Sequence, residues 1–335
     1  MKSLTLCIVG ERGHTNYVLD GLKDLPHARV MGISPGGAEE GVEFLNAALR
    51  GLGHEPRFYA EYRQMLDRER PNLLCVIGPF ERHAEMCLEA FSRGIAVLCE
   101  KPVALTLEEL SRLRDAWQVN PLPFASLMGM RFEAPFYTLF QVVKAGLIGE
   151  PRLIQTQKSY RLGQRPDFYY RRETYGGTIP WVGSHAVDII HWLSGQRFES
   201  VFATHSAQSN AGYGTLEVSA QIQFVLSGRV AASASLDYLR PSGAPSHGDD
   251  RARVAGTLGV IEARAGKVWL IDAQGERELA LRQPPSLLAD FLAQVEGRGP
   301  GLQDGAQTLA VTEACLLARQ SADEGRVVHF NREEA

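Results

Sequence analysis

Residues 71–102 read PNLLCVIGPFERHAEMCLEAFSRGIAVLCEKP. LLCVIG and IAVLC are apolar at every position, so strands formed there need cover on both faces. RHAEMCLEAFSRG between them has helical spacing and stops at Gly94. A strand, a helix and a second buried strand make one turn of a parallel sheet. The same alternation runs outward from this unit. SLTLCIVG and ARVMGIS are strands and RFYA a short extended piece, with NYVLDGLKDL, EGVEFLNAALRGLG and YRQMLDRER helical between and after them. TLEELSRLRDAWQV follows as a helix opened by Thr106, with Glu108 and Glu109 in its first turn. The first third is therefore expected to be α/β, a doubly wound parallel sheet.

Beyond the helical FYTLFQVVKAGLIG the pattern changes. PRLIQTQKSYRL, SVFATHSAQ, TLEVSAQIQFVLS, GRVAASASLDYL, ARVAGTLGVIEAR and KVWLIDA are alternating or β-rich pieces joined by short turns. They predict a large, mostly antiparallel sheet with helices on one side, an α+β domain closed by the amphipathic SLLADFLAQVEGRG and GAQTLAVTEACLLARQSADEG. PLP at 121–123 marks the boundary, dividing the chain into 1–122 and 123–335.

Composition narrows the function. The 335 residues exceed one ordinary core, and 44% hydrophobic with 22% charged content is that of a globular protein. A net charge of −4 offers no footprint for nucleic acid or an anionic membrane. Cys7, Cys75, Cys87, Cys99 and Cys315 are scattered without metal or redox spacing and read as buried thiols of a reducing compartment. MKSLTLCIVG is too short for a signal peptide and no run spans a bilayer, so the expected location is the cytoplasm.

Two regions carry chemistry. After the first strand stands Gly10-Glu-Arg-Gly-His-Thr15, in which only Gly10 matches G-x-G-x-x-G. Arg12 and Thr15 occupy the other two places, and Gly13 comes one residue late. The second strand ends in Ser34 where an acid would grip an adenosine ribose, while Glu39 and Glu40 come late and are expected in solvent. Ser34 could bond a ribose hydroxyl or a 2′-phosphate, and Arg12 could cover adenine or pair with a phosphate, so the choice between NAD and NADP stays open. Gly10, Arg12, Gly13, His14, Ser34, Gly78, Pro79, His83, Glu100 and Lys101 form the candidate cofactor set. Glu100-Lys101-Pro102 closes a buried strand, where open α/β sheets bind ligands; Lys101 there could move a proton, or form a salt bridge at a strand exit. Pro102 would aim it, through a cis bond or a trans one.

The second region is YGGTIPWVGSHAVDIIHWLSG at 175–195. His185, Asp188 and Trp192 share one side of a helix starting near Gly183, while His191 lies on another face and reads as structural. Asp188 could orient the His185 ring, and Gly176 and Gly177 would let the preceding loop approach a ligand. DFYYRRETY at 167–175 suits a sugar or anionic sugar as well as a solvated loop. Metal binding by His185, Asp188 and His191 is not expected, since no further ligand falls on that face.

With these blocks together the chain resembles the Gfo/Idh/MocA family over nearly its whole length. The likeness rests on HAE within PFERHAEMCLEAFSRGIAVLCEKP, on ALTLEEL and GLIGEP, on GG-x5-G-x-H-x-x-D at 176–188, and on RARVAGTLGVIEA and the closing LLADFLAQVEGRGP…DEGRVV. The resemblance implies an N-terminal Rossmann domain for NAD or NADP and a C-terminal α+β domain whose sheet builds homodimers or homotetramers. It also implies oxidation or reduction of a hydroxyl on a sugar, cyclitol or related polyol. Lys101 and His185 match the family's lysine and histidine, and Asp188 a further acid of the motif. The family's aspartate is replaced by Trp181, whose indole N–H and flat face suit a stacked sugar ring. Tyr175 is the substitute acid to consider, and Lys101, Tyr175, Trp181 and His185 are the expected substrate contacts. Two alternatives stay open beside the dehydrogenase: an NAD-recycling lyase or glycosidase, and a non-catalytic sensor.

Overall fold

A computed structural model describes residues 4–38 and 40–330. The first compact unit takes in the chain to Gly129 and a later return, Pro285–Thr312. It alternates β1 (Leu4–Val9), α1 (Thr15–Lys23), β2 (Ala28–Ser34), α2 (Glu43–Gly51), β3 (Arg57–Phe58) and α3 (Tyr62–Glu69). β4 (Leu73–Val76), α4 (His83–Phe91), β5 (Ala96–Cys99), α5 (Leu107–Val119) and β6 (Phe124–Ser126) complete the alternation. The sheet order is β3-β2-β1-β4-β5-β6 with every pairing parallel, the doubly wound arrangement expected. All four residues of β4 and of β5 are buried, as runs apolar on both faces require. Thr106 caps α5 through a reciprocal box with Glu109.

Two features of this unit differ from the expected division at residue 122. Phe124–Ser126 adds a sixth parallel strand beside β5, so the sheet ends beyond the PLP turn. The helix Leu287–Val295 packs on α1, where a Cβ on Gly21 would stand 2.5 Å from Leu288 Cβ. Gln303 then ties the return to β6, donating from Nε2 to Ser126 Oγ at 3.0 Å.

The second unit holds Met130–Pro284 and the chain from Glu313. α6 (Ala134–Lys144), β7 (Pro151–Ser159), α7 (Arg172–Tyr175) and α8 (Ser184–Ser194) come first. β8 (Phe198–Ser206), β9 (Ser219–Leu226), β10 (Val230–Asp237), β11 (Arg251–Gly256), β12 (Gly259–Arg264), β13 (Lys267–Asp272) and β14 (Gly275–Leu279) follow, and Val328–His329 closes as β15. They form one nine-stranded sheet, β14-β13-β12-β11-β7-β10-β9-β8-β15, antiparallel except for the β7–β10 pair. α6 and α8 lie on one face, over the buried Ile154, Ile222, Ala234, Val254 and Ile261. ARVAGTLGVIEAR, expected as one piece, is the β11–β12 hairpin.

Candidate active site

In the first unit the site begins at the β1 exit. Gly10 has φ +79°, and a Cβ on it would lie 2.3 Å from Gly78 Cα, so the loops after β1 and β4 touch through backbone alone. Arg12 N–H donates to Ile77 O at 2.7 Å across the same contact. The turn is held from below by Glu100, which is fully buried. Its Oε2 accepts from His14 N–H at 2.7 Å and lies 3.0 Å from His14 Nδ1, while Oε1 accepts from Lys101 N–H at 3.0 Å. Burial opposes its ionisation, but His14 and then Lys101 outweigh that and keep the carboxyl below its ordinary value. Glu100, expected among the cofactor contacts, has both carboxylate oxygens engaged by the β1 loop and the start of its own turn.

Three further cofactor expectations are revised. His83 is wholly buried, its ring nitrogens 2.8 Å from Pro102 O and 3.1 Å from Gly78 O. It joins the β4 and β5 exits, and burial lowers its pKa against the pull of those carbonyls. Ser34 is also fully buried, and its hydroxyl turns to Pro35 O at 3.3 Å rather than outward. Glu40 is not in solvent. The Gly36-Gly37 turn folds it back, so Gly36 N–H donates to Oε2 at 2.9 Å and Arg12 Nε lies 3.7 Å from Oε1, with the side chain 8% exposed. Burial raises the Glu40 pKa, with Arg12 opposing. Glu39 lies outside the described residues.

An acid thus reaches the β2 exit by a detour that strand-end reading could not foresee. Gly36 and Pro79 meet beside it, since a Cβ on Gly36 would stand 2.4 Å from Pro79 Cδ and 2.6 Å from Glu40 Oε2. α1, with no side-chain cap at its N-terminus, opens onto the same exits. The glycine cradle, the uncapped helix end, Arg12 and Glu40 fit a dinucleotide. Lys101, 2% exposed, follows β5, and its bond to Pro102 is cis.

In the second unit a π-helical turn, Ile179–Gly183, leads into α8. Gly183 allows close packing on the sheet, because a Cβ there would stand 2.5 Å from Leu236 Cδ1. Thr156 Oγ1 of β7 donates to Ala186 O at 3.3 Å. His185 is 3% exposed, and Trp181, 7% exposed, meets Tyr169 edge-to-face at 6.3 Å. Asp188, expected to orient His185, is committed elsewhere: Arg131 donates from Nε to Oδ2 at 2.8 Å and from Nη2 to Oδ1 at 2.5 Å. Arg131 also lies 5.2 Å from the Trp192 ring, which stacks on Phe140 at 3.9 Å. The shared side of His185, Asp188 and Trp192 is real, but its acid balances a buried arginine. His191 packs against Phe198, in keeping with a structural place.

Tyr175 also differs from expectation. It is fully buried and donates to Glu217 Oε2 at 2.5 Å. Burial, then the Glu217 charge, push its pKa up, and the hydroxyl expected as a substitute acid is engaged by Glu217 inside the unit. Glu217 further accepts from Thr178 N–H at 3.0 Å and from Arg172 Nη2 at 2.5 Å, while Arg319 donates to Gly176 O at 2.6 Å. The glycine pair is thereby pinned within its own unit. Arg131 and Glu217 escape sequence reading; the only signals are a charge inside the apolar LMGMRF and an acid at an inward place in TLEVSAQ. Among the described residues no group of three or more His, Cys, Asp or Glu could hold a metal ion.

Residues 6–123 match the oxidoreductase family with an NAD-binding Rossmann fold, and residues 136–262 match the GFO/IDH/MocA C-terminal domain. A putative oxidoreductase from Thermotoga maritima shares 43% identity, covering 98% of this chain and all of that one, with a TM-score of 0.93. The rhizopine catabolism protein MocA of Rhizobium meliloti is 26% identical over 82% of this chain and 84% of its own length. Inositol 2-dehydrogenase of Salmonella typhimurium is 24% identical over 49% of this chain, and the match spans about half, 47%, of that relative.

Proposed function

Because the chain belongs to the Gfo/Idh/MocA family of oxidoreductases, with its NAD-binding Rossmann fold, we propose that it oxidises or reduces a hydroxyl-bearing carbon of a sugar, cyclitol or related polyol with NAD. The observation that carries this reading is made within each unit: the first holds a dinucleotide-fitting β1 exit and Lys101 at its matched motif position, 2% exposed, and the second holds His185 at its own, 3% exposed. Bound nicotinamide supplies the hydride acceptor or donor. Lys101 polarises the substrate hydroxyl and His185 takes its proton, the usual work of an imidazole near neutral pH. Trp181 walls the substrate, and Asp188 keeps α8 in register through Arg131.

Glu40 favours NAD over NADP, since its carboxylate accepts from ribose hydroxyls and repels a 2′-phosphate. The outward face of the sheet supports self-association into a homodimer or homotetramer: Leu153, Ala231 and Val225 stand in one cross-strand row, with Leu153 and Val225 exposed. No helix among the described residues is long and apolar enough to cross a membrane. All five cysteines are buried thiols, and we place the protein in the cytoplasm.

Thermal shift with NAD and NADP tests the cofactor, because a ligand stabilises according to its occupancy. NAD should shift the melting point more, and Glu40→Gln should narrow the gap. On a turned-over polyol, Lys101→Met should hold NAD binding within a few-fold while turnover falls by roughly 10²-fold or more. No shift with either nucleotide overturns the assignment.

A further inference from the structure

Two guanidinium groups follow β7 without an acid to balance them. Arg161 and Arg165 have no carboxylate within ion-pair distance among the described residues, and the Nε of each is buried with no hydrogen-bond partner there. Their neighbours are compensated. Lys158 Nζ meets Asp250 Oδ2 at 2.5 Å, and Asp249 takes Arg251 at 2.6 Å and Arg240 at 3.5 Å. Both side chains are half-buried, with Nε held out of water, and a guanidinium with no carboxylate beside it is a ready partner for an anion.

Their geometry is fixed. Arg161 donates from Nη2 to Ala244 O, Arg165 donates from Nη2 to Arg161 O at 3.0 Å, and Arg165 N–H donates to the Tyr213 hydroxyl at 2.8 Å. The Arg165 guanidinium lies 4.7 Å from the Tyr238 ring and 5.5 Å from Tyr169. Tyr238 is a second, independent sign of a ligand: it is 3% exposed, yet its hydroxyl has no partner among the described residues. Tyr160 links it to His247, at 6.5 Å and 5.3 Å between ring centroids. His247 is less basic than usual, first through burial and then through repulsion by Arg165 and Arg161, so both cations are felt at that ring. Since Tyr169 also meets Trp181, the patch is continuous with the start of α8 inside one unit.

We propose that Arg161, Arg165 and Tyr238 recognise an acidic group, carboxylate or phosphate, on a sugar whose ring packs against Tyr169 and Trp181. This rests on the oxidoreductase reading and narrows its substrate to acidic sugars. Forked guanidinium donors match both anions, and the phenol supplies a neutral donor.

Calorimetry on the full chain with NAD present tests it, using glucuronate, galacturonate and glucose-6-phosphate against neutral glucose, galactose and myo-inositol. At least one acidic sugar should bind about tenfold or more tightly than its neutral parent, the scale of one charge-assisted hydrogen bond. A uronate preference assigns the carboxylate, and a phosphate preference the phosphate ester. Arg161→Gln and Arg165→Gln should each remove most of the preference. Tyr238→Phe, which keeps the ring, should reduce it a few-fold, with circular dichroism melts confirming that each variant folds. Equal affinity for acidic and neutral sugars overturns the site, as does binding of no sugar, or a preference untouched by both Arg165→Gln and Tyr238→Phe. Oxidation of neutral sugars without acidic preference would sink this site alone; acidic-sugar binding without nicotinamide reduction would support it and sink the oxidoreductase reading.

Discussion

Arg131 and Asp188 are both fully buried, and two hydrogen bonds join them. Removing one member of such a pair strands the other charge out of water, at a cost of about 3–5 kcal/mol. Arg131→Met should therefore lower the unfolding free energy by that much, read as a lower urea midpoint at an unchanged slope. Arg131→Met combined with Asp188→Asn should be milder, because no charge is then left unpaired; equal losses in the single and double variants would show that the pair's packing matters more than its charge. Spacing made His185, Asp188 and Trp192 legible as one side of α8, since residues three and seven apart share a helix face. It could not reveal Arg131, which lies 57 residues before Asp188 and belongs to no common element. For the same reason spacing alone pairs Asp188 with His185, three residues away on the same face. Glu40 shows the converse limit: a two-glycine turn returned a late acid to the strand end, and turn geometry is not carried by residue order alone.

At the scale of the element, the loop entering the π-helical turn is held by Glu217. This carboxylate accepts from Tyr175, Thr178 and Arg172, and Arg172 also reaches Asp323 at 2.8 Å. Burial opposes its charge, but the Tyr175 hydroxyl, the Thr178 N–H and then Arg172 hold its pKa below the ordinary 4.5. A carboxyl depressed on folding contributes stability that is full above its unfolded pKa and is lost as pH falls through its lower folded value. Glu217→Gln should thus lower the melting point near neutrality, and the gap to the parent should shrink progressively below about pH 4.5. A gap of constant size at every pH would mean that shape, and not charge, secures the loop. Elements were legible where burial was two-sided: β4 and β5 announced themselves through unbroken apolar runs. The β11–β12 hairpin was not, because Gly256 to Gly259 interrupts one continuous alternating pattern with only Thr257 and Leu258 between. β14, mostly exposed GEREL, carries no apolar signal.

For the whole molecule, the amphipathic SLLADFLAQV gave no indication of which core it would join, since any apolar stripe satisfies an amphipathic face. Only the close approach of Leu288 to Gly21 decides it, and that is a property of two segments brought together. The opposite problem arises on the nine-stranded sheet, whose helix-free face exposes Leu153 (37%), Phe202 (39%) and Val225 (44%). The cross-strand register places Leu153, Ala231 and Val225 in line, and Ser200 of β8 extends the row toward the neighbouring Phe202. An exposed row of Leu153, Ala231 and Val225 with Phe202 beside it is what a second copy of the same sheet would cover, and a stable dimer takes about 800 Å² from each partner. Light scattering during size exclusion should therefore report a dimer or tetramer at micromolar concentration. Phe202→Glu and Val225→Lys should each shift it toward monomer, because each plants a charge in the row. Val119→Glu, at an 87%-exposed position ending α5 in the other unit, should leave the mass unchanged. A parent protein that elutes as a monomer would exclude association through this face, whereas a dimer resistant to both sheet substitutions would move the contact elsewhere.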